Sequence, residues 1–329
     1  MMSLRAVHAG TGYQYLLRSV ATHDGPREAG QSLSDYYAAK GTPPGRWIGS
    51  GLDGLASPTV LARTEVTESQ MAALYGEGLH PDTDKMLAAG TGLAGCKLGR
   101  AFPIYTADKP VLVALAAAEK QFRQENNRLP TTSDRAVMAE QIGRPFYLEA
   151  GGYDHASGAD VIAWVNRERD QVQQAVSGFD FTFSPVKSVS VLWALADEQT
   201  AMRIAAIHHE AVAEALAWAE DNTIYTRRGS GGIEQVRTKG ILASEFTHFD
   251  TRGGDPDLHS HVLIANKVQA PDGTWKSLDG QAIFQMHQAI SARYDTALHD
   301  RLARDASMCP AFRLTEPSLL PPGTTSPRS

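Results

Sequence analysis

The run HFDTRGGDPDLHSHVLIANKV, residues 248–268, holds three histidines within fourteen residues. Thr238–His248 and His259–Val268 are rich in Val, Ile, Leu, Thr and Phe, which predicts two β-strands. The intervening TRGGDPD predicts a turn, so we expect the two strands to pair as an antiparallel hairpin. This hairpin decides how the second half of the chain is arranged.

The same hairpin places its histidines on one face. Side chains at i and i+2 of a strand point the same way, so His259 and His261 share a face while Ser260 points to the other. His248, on the partner strand, can reach that face across the turn. Three neutral imidazoles that converge form a metal site with open positions for water or substrate. The alternative is that the histidines are structural, since a His-x-His pair also occurs without a metal.

The composition excludes several classes of protein. Of 329 residues, 42% are apolar and 21% are charged. No run approaches the roughly 18 apolar residues of a membrane span, and the start, MMSLRAVHAGTGYQYLL, lacks the features of a secretory signal. Cys96 and Cys309 are too few for a disulfide framework or a cysteine metal cage. We therefore expect a cytoplasmic protein without membrane insertion.

The charge distribution leaves room for nucleic acid. The net charge of −6 argues against a polyanion-binding surface over the whole protein, but a local patch can still bind DNA. The segment YTRRGSGGIEQVRTKG, residues 225–240, carries four basic residues against one Glu, a local charge of 4 − 1 = +3. The basic residues are Arg227, Arg228, Arg237 and Lys239. Its glycines favour an extended hairpin, and the alternative is an ordinary solvated turn.

Tyrosines near the N-terminus are candidate nucleophiles. Tyr13 and Tyr15 lie in a predicted helix, and the adjacent pair Tyr36 and Tyr37 follows about twenty residues later. Tyrosine can form covalent intermediates, although most tyrosines are amphipathic residues at the edge of a core.

Asp180 stands in the middle of the apolar strand pattern Phe179–Phe183. A carboxylate there needs a partner, and the second ring nitrogen of a metal-bound histidine is a fitting one. The alternative is an Asp that caps a turn. Ser184 followed by a proline predicts the start of a helix, and Lys187 within it is a candidate phosphate ligand or a solvated lysine.

The predicted elements indicate an α+β fold, an antiparallel sheet with helices packed on it. Strands lie at the N-terminus and in the second half of the chain, and a helical stretch occupies about residues 100–178. GTGLAGCKL, residues 90–98, lacks the Gly-Lys-Ser/Thr of a phosphate-binding loop, which excludes an NTPase of that kind. We expect one domain over residues 1–305, followed by a disordered tail with five prolines over residues 306–329.

In combination, these features resemble the relaxase domain of conjugative plasmid-transfer proteins, the MobF class of HUH endonucleases. The resemblance runs through most of residues 1–304. The segments that carry it are the N-terminal tyrosines, DYY at 35–37, FDFTFSPVKSVS at 179–190, YTRRGSGG at 225–232, the histidines at 248, 259 and 261, and DGTWKSLDGQ at 272–281.

The resemblance implies a palm-like sheet and an enzyme that nicks one DNA strand at an origin of transfer, stays attached through a 5′-phosphotyrosine, and later rejoins the strand. It implies a divalent ion, Mg²⁺ or Mn²⁺ with Zn²⁺ as the alternative, held by His248, His259 and His261. Tyr13 is expected to attack first and Tyr36 or Tyr37 second, with Asp180 beside the metal. The basic residues, Lys187 included, would hold DNA.

It also implies single-stranded and duplex DNA, accessory relaxosome proteins and a coupling protein as partners. The chain departs from the family pattern in its split tyrosine pair, its longer spacing between tyrosine clusters, its additional helical stretch and the lack of a helicase domain. A rolling-circle replication initiator and a non-catalytic metal- or DNA-binding module are the alternatives.

Overall fold

The computed structural model describes residues 1–18, 43–106, 108–250 and 255–305. Its strands are β1 (Met2–His8), β2 (Arg46–Ile48), β3 (Val176–Phe183), β4 (Tyr225–Arg228), β5 (Glu234–Arg237), β6 (Ala243–Asp250), β7 (Pro256–Ala265), β8 (Val268–Gln269) and β9 (Trp275–Lys276). Five of them form an antiparallel sheet in the spatial order β1–β3–β7–β6–β2. The pairs β4–β5 and β8–β9 form two small hairpins.

Helices surround this sheet. They are α1 (Gln14–Arg18), α2 (Glu68–Met71), α3 (Thr83–Ala88), α4 (Pro110–Asn126), α5 (Thr132–Glu149), α6 (Gly158–Asp170), α7 (Lys187–Leu195), α8 (Glu198–Asn222) and α9 (Gly280–Arg304). The expected α+β class, an antiparallel sheet with helices packed on it, is confirmed. No helix among the described residues is long and apolar enough to cross a membrane.

The back face of the sheet carries the larger core. Alternation along β3 directs Phe179, Phe181 and Phe183 to this face, where α8 and α9 cover them. Tyr294 of α9 packs on Phe183, with ring centroids 5.2 Å apart. Each fully buried side chain of this size contributes about 1.5–3 kcal/mol, so the two long helices are held chiefly by apolar burial.

The front face supports a second core and the N-terminal tyrosine helix. Trp47, Tyr75 and Phe246 are buried there together with Leu263 of β7. The hydroxyl of Tyr75 donates to the Leu263 carbonyl at 2.7 Å and ties the segment before α3 to the sheet. Helix α1 packs against this cluster, which fixes its position over β3 and β7.

Helices α4, α5 and α6 form a lobe with its own apolar core. The lobe corresponds to the helical stretch expected near residues 100–178. Glu77 joins it to the rest of the protein, because its carboxylate accepts from Arg123 at 3.0 Å and from Arg135 at 2.7 Å. The helix predicted over Val161–Ala175 ends earlier, at Asp170. The Ala175 carbonyl instead accepts a hydrogen bond from the backbone N–H of Ala9, just after β1, at 2.8 Å.

Two other predicted boundaries are wrong. Ser184 does not cap α7, because its backbone N–H donates to the Met1 carbonyl at 2.9 Å and extends the β1–β3 ladder. The strand predicted from Thr238 begins at Ala243, because Gly240 adopts a φ of 101°, which interrupts the extended backbone. Ser34, the segment 251–254 and the tail 306–329 lie outside the described residues.

Removal of one central aromatic tests the back-face core. Phe181 is fully buried, so Phe181→Ala should lower the free energy of unfolding by about 3–5 kcal/mol through lost burial and the cavity that remains. Chemical denaturation measures the change. Val113→Ala, at a position that is 50% exposed on the lobe, is the control and should stay within about 0.5 kcal/mol. Equal effects of the two substitutions would contradict this assignment of the core.

Candidate active site

Three histidines converge on the front face of β6 and β7. His248 lies directly opposite His259, and His261 follows two residues later on the same face. Every pair of their rings has centroids 5.2 Å apart. One ring nitrogen from each residue lies within 4.8 Å of the others. The structure thus brings together the three residues that strand periodicity and the hairpin place on one face.

Hydrogen bonds orient two of these rings. Nδ1 of His259 donates to the Asp257 carbonyl at 2.7 Å, and Nδ1 of His261 donates to Asp180 at 2.9 Å. In both rings Nε2 then carries the lone pair, the state that a metal ligand requires. Burial, followed by the two neighbouring imidazoles, lowers the pKa of His248 to about 3, so this ring is neutral at physiological pH. The chemistry of the donor set therefore fits a divalent metal ion.

Asp180 connects the histidines to a tyrosine. The carboxylate is only 3% exposed and lies on β3, next to β7. It accepts a short hydrogen bond from the hydroxyl of Tyr15 and a second hydrogen bond from His261. The hydroxyl of Thr182, which stands opposite His261, lies 3.1 Å from the same imidazole nitrogen. Tyr15 and His261, with a longer hydrogen bond of 3.5 Å from the Thr182 hydroxyl, thus satisfy a carboxylate that would otherwise be costly to bury.

Tyr15 projects from α1 toward this carboxylate. Its ring stands edge-on to that of His261, with centroids 5.9 Å apart and an interplanar angle of 75°. Burial, then the charge of Asp180 and the hydrogen bond to it, raise the pKa of Tyr15 well above its usual value. The hydroxyl therefore stays protonated in the resting protein, with the Asp180 carboxylate as its hydrogen-bond acceptor.

Tyr13, the tyrosine that the sequence favours as the first nucleophile, points elsewhere. Tyr13 lies in the turn just before α1, whereas Tyr15 lies within the helix, and it is the hydroxyl of Tyr15 that reaches Asp180. Tyr13 is 1% exposed and packs with Leu16 and Trp47 in the front-face core, and burial raises its pKa to about 12. The structure therefore places the hydroxyl of Tyr15, rather than that of Tyr13, beside Asp180. Tyr36 and Tyr37 lie outside the described residues.

Lys187 lies near the histidines. It begins α7, and its ammonium donates to the Pro256 carbonyl at 2.6 Å, three residues before His259. This contact places a positive charge beside the first residue of β7.

The basic segment forms the expected hairpin, β4–β5, but part of its charge is paired. Arg227 contacts Asp279 at 2.9 Å, and Arg228 contacts Glu234 at 2.6 Å. Arg237 and Lys239 are exposed. The local excess of positive charge is consequently smaller than the sequence count indicates.

Two residues near the site were not anticipated from the sequence. The guanidinium of Arg5 lies over the ring of Tyr15, with its central carbon 4.5 Å from the ring centre. His208 of α8 is fully buried behind the histidine strand, where its nitrogens lie 2.8 Å from the Tyr294 hydroxyl and 3.0 Å from the Ser260 hydroxyl. An arginine in a short strand and a histidine in a long amphipathic helix carry no local signal of either contact.

Comparison with known protein families identifies the chain. The model of the TrwC relaxase family matches residues 9–309. The chain belongs to this family. Membership favours a relaxase over the rolling-circle initiator and the non-catalytic module that the sequence left open.

Two curated relatives share part of the chain. The multifunctional conjugation protein TraI of Escherichia coli is 32% identical over 126 residues, which is 38% of this chain and 7% of TraI. TraI of Escherichia coli strain K12 is 31% identical over the same share of each protein. The chain thus spans a small part of the length of these relatives.

Solved structures of the conjugative relaxase TrwC in complex with oriT DNA are also similar. The copper-bound complex is 20% identical, with a TM-score of 0.47, and the match covers 92% of this chain and 70% of that one. The metal-free complex is 18% identical, with a TM-score of 0.48, and the match covers 92% and 69%.

Loss of one imidazole tests the metal site of this relaxase. Loss of a residue that only hydrogen-bonds to a metal ligand typically weakens metal binding by about 10–100-fold. His259→Ala removes one of the three ligands themselves, so it should weaken binding of Mn²⁺ or Zn²⁺ by more than this. Isothermal titration calorimetry on protein first treated with EDTA measures the affinity. His155→Ala, an exposed histidine on the lobe, is the control and should leave the affinity unchanged. Unaltered affinity of His259→Ala would reject the site.

The buried histidine behind the site should make stability depend on pH. Burial, with smaller contributions from nearby positive groups, lowers the pKa of His208 from about 6.5 when unfolded to about 3 when folded. The contribution of His208 to the free energy of unfolding is therefore complete above pH 6.5. It is lost as the pH falls toward 3, at about 1.4 kcal/mol per pH unit.

Urea denaturation between pH 7 and pH 5 measures this slope. His208→Gln keeps a hydrogen-bonding side chain without an ionisable group, so its stability should fall less steeply than that of the unsubstituted protein by about that amount per pH unit. Parallel curves for the two proteins would show that His208 does not titrate in this way.

Proposed function

We propose that the chain nicks and rejoins one strand of DNA at an origin of transfer through a covalent 5′-phosphotyrosine on Tyr15. The observation that carries this proposal is the connected set formed by Tyr15, Asp180 and His261. It joins a nucleophile, a base and a metal-ligand candidate by hydrogen bonds. Membership of the TrwC relaxase family supports the same reaction.

The tyrosine and the carboxylate perform the proton transfer. The Tyr15 oxygen attacks the phosphorus of the scissile phosphodiester while its proton passes to the Asp180 carboxylate. The new O–P bond forms as the bond between phosphorus and the 3′ oxygen breaks. The electron pair of that bond leaves with the 3′ oxygen, which takes up a proton. Because the phosphotyrosine keeps the energy of a phosphodiester, a free 3′ hydroxyl can reverse the reaction and rejoin the strand.

The histidines prepare the site for a charged substrate. When bound by His248, His259 and His261, a divalent ion supplies Lewis-acid polarisation of the scissile phosphate. Imidazole nitrogens suit transition-metal ions better than Mg²⁺, which prefers oxygen ligands and retains its waters. Of the ions expected from the sequence, Zn²⁺ or Mn²⁺ therefore fits this donor set better than Mg²⁺. Asp180 holds the ring of His261 in the ligating tautomer as well as serving Tyr15.

DNA binding is assigned to Lys187 and to the basic hairpin β4–β5. Lys187 lies near the start of β7, and Arg237 and Lys239 are exposed on the β5 side of the basic hairpin. Arg227 and Arg228 would exchange their carboxylate partners for phosphates when DNA binds. Single-stranded and duplex DNA at the origin, accessory relaxosome proteins and a coupling protein in the cytoplasm complete the proposed setting. Tyr36 or Tyr37 is proposed as the second nucleophile.

A comparison of two tyrosine variants tests this function. Tyr15→Phe should reduce covalent adduct formation by about 1,000-fold or more, because the attacking oxygen is absent, while DNA binding is retained. Tyr13→Phe is the matched control and should form adduct within about threefold of the unsubstituted rate, since its hydroxyl lies in the core away from Asp180.

Single-stranded oligonucleotides tiled across the DNA that flanks the gene are incubated with the protein and Mn²⁺ or Zn²⁺, and adducts are resolved on denaturing gels. Mass spectrometry of the adduct peptide then identifies the attached residue. An adduct on Tyr13 would reassign the nucleophile. A lack of adduct with every oligonucleotide and either metal would remove the proposed function.

A further inference from the structure

Arg5 stands at the rim of the site. It lies on β1 directly opposite Asp180, so its side chain projects from the same face of the sheet as the histidines. Its guanidinium lies over the ring of Tyr15, 4.5 Å from the ring centre. The residue is exposed, and among the described residues its guanidinium has no carboxylate partner. Its donors are thus available to a ligand that reaches the Tyr15 hydroxyl.

Several other arginines in the described part of the chain are engaged with carboxylates. Arg123 and Arg135 bind Glu77, and Arg227 binds Asp279. Arg5 instead has a cation–π contact with Tyr15, which is weak at an exposed position. A contact of this strength is easily exchanged for a charged hydrogen bond to an anion, which is the stronger interaction.

We propose that Arg5 is a catalytic residue that binds a non-bridging oxygen of the scissile phosphate. The inference rests on the proposed function, because it takes Tyr15 as the nucleophile. A phosphorus atom poised for attack lies about 3–3.5 Å from the attacking oxygen, which brings the phosphate beside the ring that Arg5 covers. The planar guanidinium matches a phosphate with two parallel N–H donors.

Electrostatics supply a second reason for a cation at this position. The buried carboxylate of Asp180 lies next to the Tyr15 hydroxyl and repels an approaching phosphate. Arg5, the residue opposite Asp180 in the β1–β3 pair, offsets that repulsion from the solvent side. The same cation stabilises the negative charge that builds on the phosphate oxygens during transfer.

A binding cycle separates this contact from a structural role. The nick site is first mapped with the unsubstituted protein, and binding is then measured in the Tyr15→Phe background, which keeps the ring but cannot cleave. EDTA is present throughout. Two oligonucleotides differ only at the scissile position, where one carries a phosphate and the other an uncharged methylphosphonate. Fluorescence anisotropy gives the affinity of each oligonucleotide for the protein with Arg5 and for the protein with Arg5→Gln, four values in all.

With Arg5 present, methylphosphonate should weaken binding by about 10-fold or more. Arg5→Gln keeps a long side chain with a planar end but removes the charge. With this variant, the affinities for the phosphate and methylphosphonate oligonucleotides should differ by less than about twofold. Arg5→Lys should restore part of the preference, because it returns the charge without the fork. Arg167→Gln, an exposed arginine on the lobe, is the control and should keep the full preference.

Single-turnover adduct formation at saturating DNA gives the catalytic readout. In the Tyr15 protein, Arg5→Gln should slow this step by about 10–100-fold, and Arg5→Lys should recover part of the rate. An equal methylphosphonate penalty with Arg5 and Arg5→Gln would overturn the assignment even if the rate fell. Absence of any adduct with the unsubstituted protein is a different failure, because it removes the proposed function itself.

Discussion

The candidate active site depends on two hydrogen bonds that the Asp180 carboxylate accepts. One comes from the hydroxyl of Tyr15 on α1 and the other from the imidazole of His261 on β7. A carboxylate at 3% exposure is costly to bury without such partners, so its position requires both elements to stay in place. The same two bonds bring the proposed nucleophile, the proposed base and a metal-ligand candidate into one connected set.

The two faces of the sheet carry different residues, so the larger apolar core and the candidate site lie on opposite sides. The back face buries Phe181 and its neighbours under α8 and α9, whereas the front face of the same strands presents Asp180 and the histidines. His208 reaches through the back-face core to Ser260, the residue between the two histidines of β7. A hydrogen bond from a long helix thereby holds the middle of the histidine strand from behind.

Charge around the site follows from this arrangement. Burial lowers the pKa of His248 to about 3, so that ring is neutral, and the carboxylate of Asp180 is the nearest negative charge to the Tyr15 hydroxyl among the described residues. A phosphate that approaches Tyr15 therefore needs positive charge from the protein rim as well as from a bound ion. Arg5, stacked on the ring of Tyr15, lies where that charge is required.

The sequence by itself determined the α+β class and the convergence of His248, His259 and His261, because strand alternation and a hairpin are local patterns with fixed geometry. It also indicated that Asp180 needs a polar partner. Only the tertiary structure decided that Tyr15 rather than Tyr13 reaches that carboxylate. Tyr15 lies within α1 and Tyr13 just before it, and the rotation of α1 over the sheet is set by packing against residues distant in sequence, such as Trp47.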